Sequence, residues 1–152
     1  VLEEVKDAKF MVIGDGIQRP FLEKLTVNLG VRDSVEFVGS IPYDEVPIYL
    51  SKAKIVFSYF SGLVLLEAAA MRKPIITARN KWAMDTLGNS PLLVSSHSPE
   101  DTANAIIRLL KNPEERVKIA KLAYEKVTSE RSWDIVASKH LDLYNRIVNK
   151  VG

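Results

Sequence analysis

No cysteine occurs in the 152-residue chain, which removes disulfides and thiolate metal sites from consideration. Histidine is nearly as scarce. The two present, His97 and His140, have no Ser, Cys or metal-ligand companion at an informative spacing, so structural or solvent-facing roles are expected for both and no metal site is expected. A strong excess of one charge is also missing: 21 Lys and Arg stand against 19 Asp and Glu. That balance gives no general attraction to nucleic acid or to anionic lipid. No apolar run approaches the length of a membrane span, and no internal repeat, low-complexity segment or linker divides the chain. An initial methionine and a signal-peptide pattern are lacking as well; the chain opens at Val1. This reads as an excised piece of a longer protein, and the lack of cysteine fits a reduced, cytoplasmic setting.

What is present, 47% hydrophobic and 26% charged residues, is the composition of a globular domain, and the length allows one such domain over 1–152. Short apolar runs at Phe10 to Ile13, Val35 to Val38, Ile55 to Ser58, Pro74 to Thr77 and Leu92 to Val94 read as buried parallel strands. Helical segments are expected between them at Pro20 to Leu29, Asp44 to Lys52, Leu63 to Arg72 and around Ala83 to Leu87. The alternation predicts an α/β fold, a Rossmann-like doubly wound parallel sheet. After Val94 the strand signal stops and three helices are expected. Ser98 before Pro99, with Asp101 in the first turn, marks one start; Asn112, Pro113 and Glu115 repeat the device, and Ser132 precedes the third. The third carries Ile135, Val136, Leu141, Tyr144, Ile147 and Val148 at near-helical spacing, a face expected to lie against something.

Three loops could carry chemistry. Gly14-Asp15-Gly16 follows the first strand directly, where glycines permit a tight turn and close approach of a phosphate. The fuller Gly-x-Gly-x-x-Gly spacing fails because position 19 is Arg19, so no dinucleotide fingerprint is present and a plain turn explains the loop equally well. Ser61-Gly62-Leu63-Val64 runs from a strand straight into an apolar helix, whose free amides and dipole favour a phosphate group. Glu67 is a lone carboxylate in that helix. It could accept hydrogen bonds from vicinal sugar hydroxyls, or it could be a surface carboxylate paired with Arg72 or Lys73; the residues alone leave both open. Gly39-Ser40-Ile41-Pro42 ends the second strand, on the side where such sheets bind ligands, although a Gly-Pro turn accounts for its spacing. Trp82 and Trp133 are expected to be packing residues, and Arg79 and Lys81 solvated charges.

Taken in order, these pieces resemble the C-terminal domain of glycosyltransferase family four, retaining enzymes of the GT-B fold. The resemblance covers nearly the whole chain. It runs through FMVIGDG at Phe10 to Gly16, VEFVGSIP at Val35 to Pro42, and GLVLLEAA at Gly62 to Ala69 followed by Lys73-Pro74-Ile75-Ile76. It ends in Leu92-Leu93-Val94, Ser98-Pro99-Glu100 and the Ser132-Trp133 helix start. It implies a donor site for a nucleoside-diphosphate sugar, with the backbone at Gly62, Leu63 and Val64 holding phosphate and sugar and Glu67 taking the ribose hydroxyls. Ser40 and Ile41 would border the base, and Gly14, Gly16, Tyr59 and Ser61 are further candidates for nucleotide or sugar contact. The reaction implied is transfer of a glycosyl group to an acceptor hydroxyl, with no cofactor and no metal. The general base and acceptor site would belong to an N-terminal domain that this chain does not contain, so the chain alone is expected to bind rather than catalyse. A lipid-linked acceptor would bring the parent protein to the cytoplasmic face of a membrane.

Two departures stand out. The family motif has a first glutamate, contacting the transferred sugar, eight positions before the second, and this sequence has Tyr59 there. The stretch from Ala53 to Gly62 is also shorter than the common pattern, and the family's first strand, with a Gly-Arg and a Lys that grip the diphosphate, does not appear. Tyr59 and the short stretch support an alternative, a noncatalytic GT-B-like interaction module that has lost donor binding. A nucleotide-sugar epimerase of the same fold is disfavoured by the missing His and acid constellation.

Overall fold

The computed structural model describes residues 1–60, 62–95 and 98–151. By contacts the chain forms two compact units, Val1–Lys52 and Ala53–Gly152.

In the first unit, strand β1 (Phe10–Ile13) leads through a glycine turn into helix α1 (Arg19–Asn28). Pro20, in the first turn, is pre-set for helical φ. A 3-10 turn at Arg32–Ser34 precedes β2 (Val35–Gly39), which pairs in parallel with β1. Phe10 stands opposite Val35 and Val12 opposite Phe37; the register then slips so that Ile13 meets Gly39. The helix expected from Asp44 is tighter at its start: Tyr43–Glu45 form a 3-10 turn, and α2 proper spans Val46–Lys52.

The second unit is built on β4 (Ile75–Ala78), buried at all four positions. It is flanked in parallel by β3 (Val56–Ser58) and β5 (Leu92–Val94), with Val56 opposite Ile75 and Ile76 opposite Leu92. Helices α3 (Leu63–Ala70) and α4 (Lys81–Leu87) are the crossovers. Beyond β5 come α5 (Pro99–Lys111), α6 (Pro113–Glu130) and α7 (Trp133–Val151). Helix α6 touches β4 and each of α3, α4 and α5. Its Ile119 joins Leu109 and Ala105 of α5, Ile76 of β4 and Val94 of β5 in one buried cluster. Parallel strands joined by helices make this the expected Rossmann-like α/β class, and all five expected strands form, β1 and β5 over the expected residues.

Helix ends follow their caps. Ser98 Oγ accepts from the Asp101 amide at 3.0 Å and Asn112 Oδ1 from the Glu115 amide at 3.0 Å, the two starts read from the sequence. Asn80 caps α4 in the same way, accepting from Ala83 at 2.8 Å, which moves that helix start ahead of the expected Ala83. Helix α3 stops at Ala70, short of the expected Arg72. Arg72 adopts a left-handed φ of +55°, and Lys73 precedes Pro74, which disfavours continuing the helix. The Arg72 guanidinium lies over the Tyr124 ring of α6, 4.0 Å from its centroid, a contact that offsets part of the cost of that backbone conformation.

Only the first turn of α7 is covered. Ile135 and Val136 are half-buried, whereas every residue from Ala137 to Asn149 is exposed, and Trp133, expected to pack, is 82% exposed. The apolar face foreseen for this helix exists, but it lies open. Among the described residues, no helix is long and apolar enough to cross a membrane.

Thr77 in β4 is fully buried, and its hydroxyl has no hydrogen-bond partner among the described residues. A buried hydroxyl that has given up water for nothing is unfavourable, and β-branched Val suits a strand. Thr77→Val is therefore expected to raise stability by about 1 kcal/mol. Urea unfolding measures this, and a midpoint lower than wild type would show that the hydroxyl has a use.

Candidate functional site

Helix α3 follows β3 in the chain, with Gly62 as its N-cap residue. Gly62 is fully extended, and no side chain caps the helix among the described residues. A Cβ added at Gly62 would meet no protein atom within 4 Å, so the backbone there is open to close approach. The next two residues face outward, Leu63 60% and Val64 36% exposed, while Leu65, Ala68 and Ala69 are buried and fix the helix in the unit. The result is a helix start seated by its buried side chains, with a positive dipole end suited to an anion. Glu67, one turn further on, is half-buried. Nearby, Arg72 stacks on Tyr124, and Lys73 donates to the Ala53 carbonyl at 3.0 Å.

Tyr59 follows β3 directly, and its ring packs against the Ile76, Val94, Ala105, Leu109 and Ile119 cluster. It meets Phe57 edge-on at 4.8 Å, and its hydroxyl lies 2.8 Å from Thr102 Oγ1 in α5. Phe60 beside it is 84% exposed. Ser61 and His97 lie outside the described residues.

In the first unit the Gly14-Asp15-Gly16 turn is closed on itself. The Gly14 amide donates to Gly39 O at 2.8 Å and the Gly16 amide to Asp15 Oδ1 at 2.7 Å. Arg19, which breaks the glycine fingerprint, clamps the turn: it pairs with Asp15 at 2.9 Å and Glu23 at 2.8 Å. Gly39 has a φ of +87°, a left-handed conformation that favours glycine, and a Cβ there would sit 3.1 Å from Arg19 Nη1. Ser40 is exposed and Ile41 half-buried just beyond it. The reading from glycines missed this clamp; the signal was the i, i+4 spacing Asp15, Arg19, Glu23.

The Gly16 amide, and after it the Arg19 guanidinium, hold the Asp15 carboxyl below the usual aspartate range. A depressed folded pKa means the stabilisation is complete above the unfolded-state value of about 3.9 and is lost as pH falls through the lower folded value. The carboxyl-carbon shift of Asp15, followed by NMR, is expected to titrate below about pH 3.9. A midpoint at or above that value would mean the clamp is open in solution.

The remaining polar candidates are ordinary. Lys81 pairs with Asp85 at 3.2 Å in an exposed ion pair, and Arg79 is exposed. The Nδ1 atom of His140 lies 2.8 Å from the Val136 carbonyl. Among the described residues no three His, Cys, Asp or Glu side chains are grouped so as to hold a metal ion.

Residues 1–126 match the family described as Glycosyl transferases group 1, and the chain belongs to that family. It is 30% identical over 150 residues to an alpha-D-kanosaminyltransferase of Streptomyces kanamyceticus, covering 93% of this chain and 38% of the relative. It is 28% identical over 155 residues to a GDP-mannose-dependent alpha-(1-6)-phosphatidylinositol monomannoside mannosyltransferase of Mycobacterium tuberculosis, covering 93% and 40%. The chain thus spans well under half the length of these relatives. Among solved structures it resembles a sucrose-phosphate synthase from Thermosynechococcus elongatus, with a TM-score of 0.80, 27% identity, and 92% and 38% of the two chains covered. It also resembles the C-terminal domain of a glycosyl transferase group 1 family protein from Francisella tularensis, with a TM-score of 0.76, 25% identity, and 87% and 74% covered.

Proposed function

We propose that this chain is the C-terminal, donor-binding domain of a retaining glycosyltransferase of family four, and that it binds a nucleoside-diphosphate sugar. The observation that carries the reading is the start of α3, which has no side-chain cap among the described residues and adjoins a glycine open to close approach. In this reading the Gly62, Leu63 and Val64 backbone receives the diphosphate, and Glu67 accepts the ribose hydroxyls. The match to a separately solved C-terminal domain supports the domain assignment. The GDP-mannose dependence in one relative's name supports a nucleotide-sugar donor.

In the transfer, the bond from the anomeric carbon to the diphosphate breaks as a bond to the acceptor oxygen forms. Negative charge builds on the departing diphosphate. Preorganised amides at the start of α3 stabilise that charge without reorganising, and no metal is required for the step. The acceptor and its base are supplied by another domain of the parent protein, which works in the cytoplasm or, with a lipid-linked acceptor, at the cytoplasmic face of a membrane. Calorimetric titration of the chain with UDP, GDP, UDP-glucose and GDP-mannose tests the reading. Saturable binding of at least one is expected, and absence of binding across the panel would sink it.

A further inference from the structure

Tyr59 stands where the resembled motif places a sugar-contacting carboxylate, yet its side chain is committed inward. Its ring lies on the apolar cluster beneath α5 and edge-on to Phe57. Its hydroxyl meets Thr102 Oγ1 at 2.8 Å, and that hydroxyl in turn donates to the Ser98 carbonyl at 3.2 Å. Either hydroxyl can donate in the Tyr59–Thr102 bond. A chain of two hydrogen bonds therefore ties the end of β3 to the first turn of α5. Thr102 is buried and Tyr59 half-buried, so the bond is partly removed from water. Tyr59 stands three positions before Gly62, the N-cap of α3, and Ser58 Oγ donates across Tyr59 to Phe60 O at 3.1 Å. Tyr59 is the first residue after β3 and close in sequence to the start of α3.

We propose that Tyr59 is a positioning residue, which anchors the phosphate-binding start of α3 to α5 through Thr102 and does not touch the donor sugar. The proposal rests on the donor-site reading above, and it makes a distinct prediction about which part of the donor feels the residue. An anchor acting through α3 affects the diphosphate, which is common to the nucleotide and the nucleotide sugar. A sugar contact affects the nucleotide sugar alone.

The test is titration of wild type, Tyr59→Phe, Thr102→Val and the double variant with a nucleoside diphosphate and its sugar, using whichever of the UDP and UDP-glucose or GDP and GDP-mannose pairs wild type binds. Thermal unfolding is measured alongside. Each single variant is expected to weaken both ligands equally, by roughly three- to tenfold, and the double variant no more than either single one. Weakening confined to the nucleotide sugar would overturn the proposal by making Tyr59 a sugar ligand. Unchanged affinities with lowered unfolding temperatures would overturn it by leaving Tyr59 a packing residue only. Failure of wild type to bind any of the four ligands is a different result: it removes the donor site itself, and this role with it.

Discussion

Glu67→Ala is expected to weaken binding of the donor nucleotide by on the order of a hundredfold. In the proposed site its carboxylate accepts from two vicinal ribose hydroxyls, and hydrogen bonds to a charged group are each worth about 1.5–3 kcal/mol. Removing both leaves the hydroxyls to find weaker partners, and every 1.4 kcal/mol or so is about a factor of ten in affinity. Glu67→Gln keeps one good acceptor oxygen and is expected to cost roughly tenfold. Both changes fall within a helix, where Ala and Gln are well tolerated. The unfolding temperature, measured beside the calorimetric titration, separates a lost ligand contact from a loosened helix. Wild-type affinity in Glu67→Ala would remove this carboxylate from the site.

Leu109→Ala is expected to destabilise the protein by about 2–5 kcal/mol, lowering the unfolding temperature by on the order of 10 °C. Leu109 is fully buried, and it draws together β4, β5, α5 and α6 through Ile76, Val94, Ala105 and Ile119. Truncation would open a cavity where these elements meet, and a close-packed interior cannot fill it without strain. The control is Val117→Ala on α6, at a position that is 69% exposed and where the change is expected to stay within about 0.5 kcal/mol. Similar losses for the two variants would mean that the cluster is not the core of its unit.

The strands were legible because short apolar runs bounded by turn residues leave little choice of element. Phe10–Ile13 and Leu92–Val94 form over the residues expected of them. The caps at Ser98 and Asn112 were legible for the same local reason. The end of α3 was not: the apolar pattern continues to Arg72, but the left-handed turn at that residue depends on Pro74 ahead and on the Tyr124 ring 52 positions away. Of the candidate site, the glycine before α3 and the carboxylate one turn in could be read from the sequence. The commitment of Tyr59 could not, since its partner Thr102 lies 43 residues further along. Periodicity likewise revealed an apolar face on α7 without saying whether anything covers it.

That open face gives the protein an optical reporter. Of its two tryptophans, Trp133 stands in water at the start of α7, whereas Trp82 is half-buried in α4. A soluble quencher such as iodide should extinguish the red-edge emission of Trp133 and reach Trp82 far less, so the quenching plot should curve downward. Any molecule that settles over the start of α7 would shift the emission to the blue and straighten the plot, with no label attached. A linear plot from the outset, with both indoles equally shielded, would mean that Trp133 is already covered in solution.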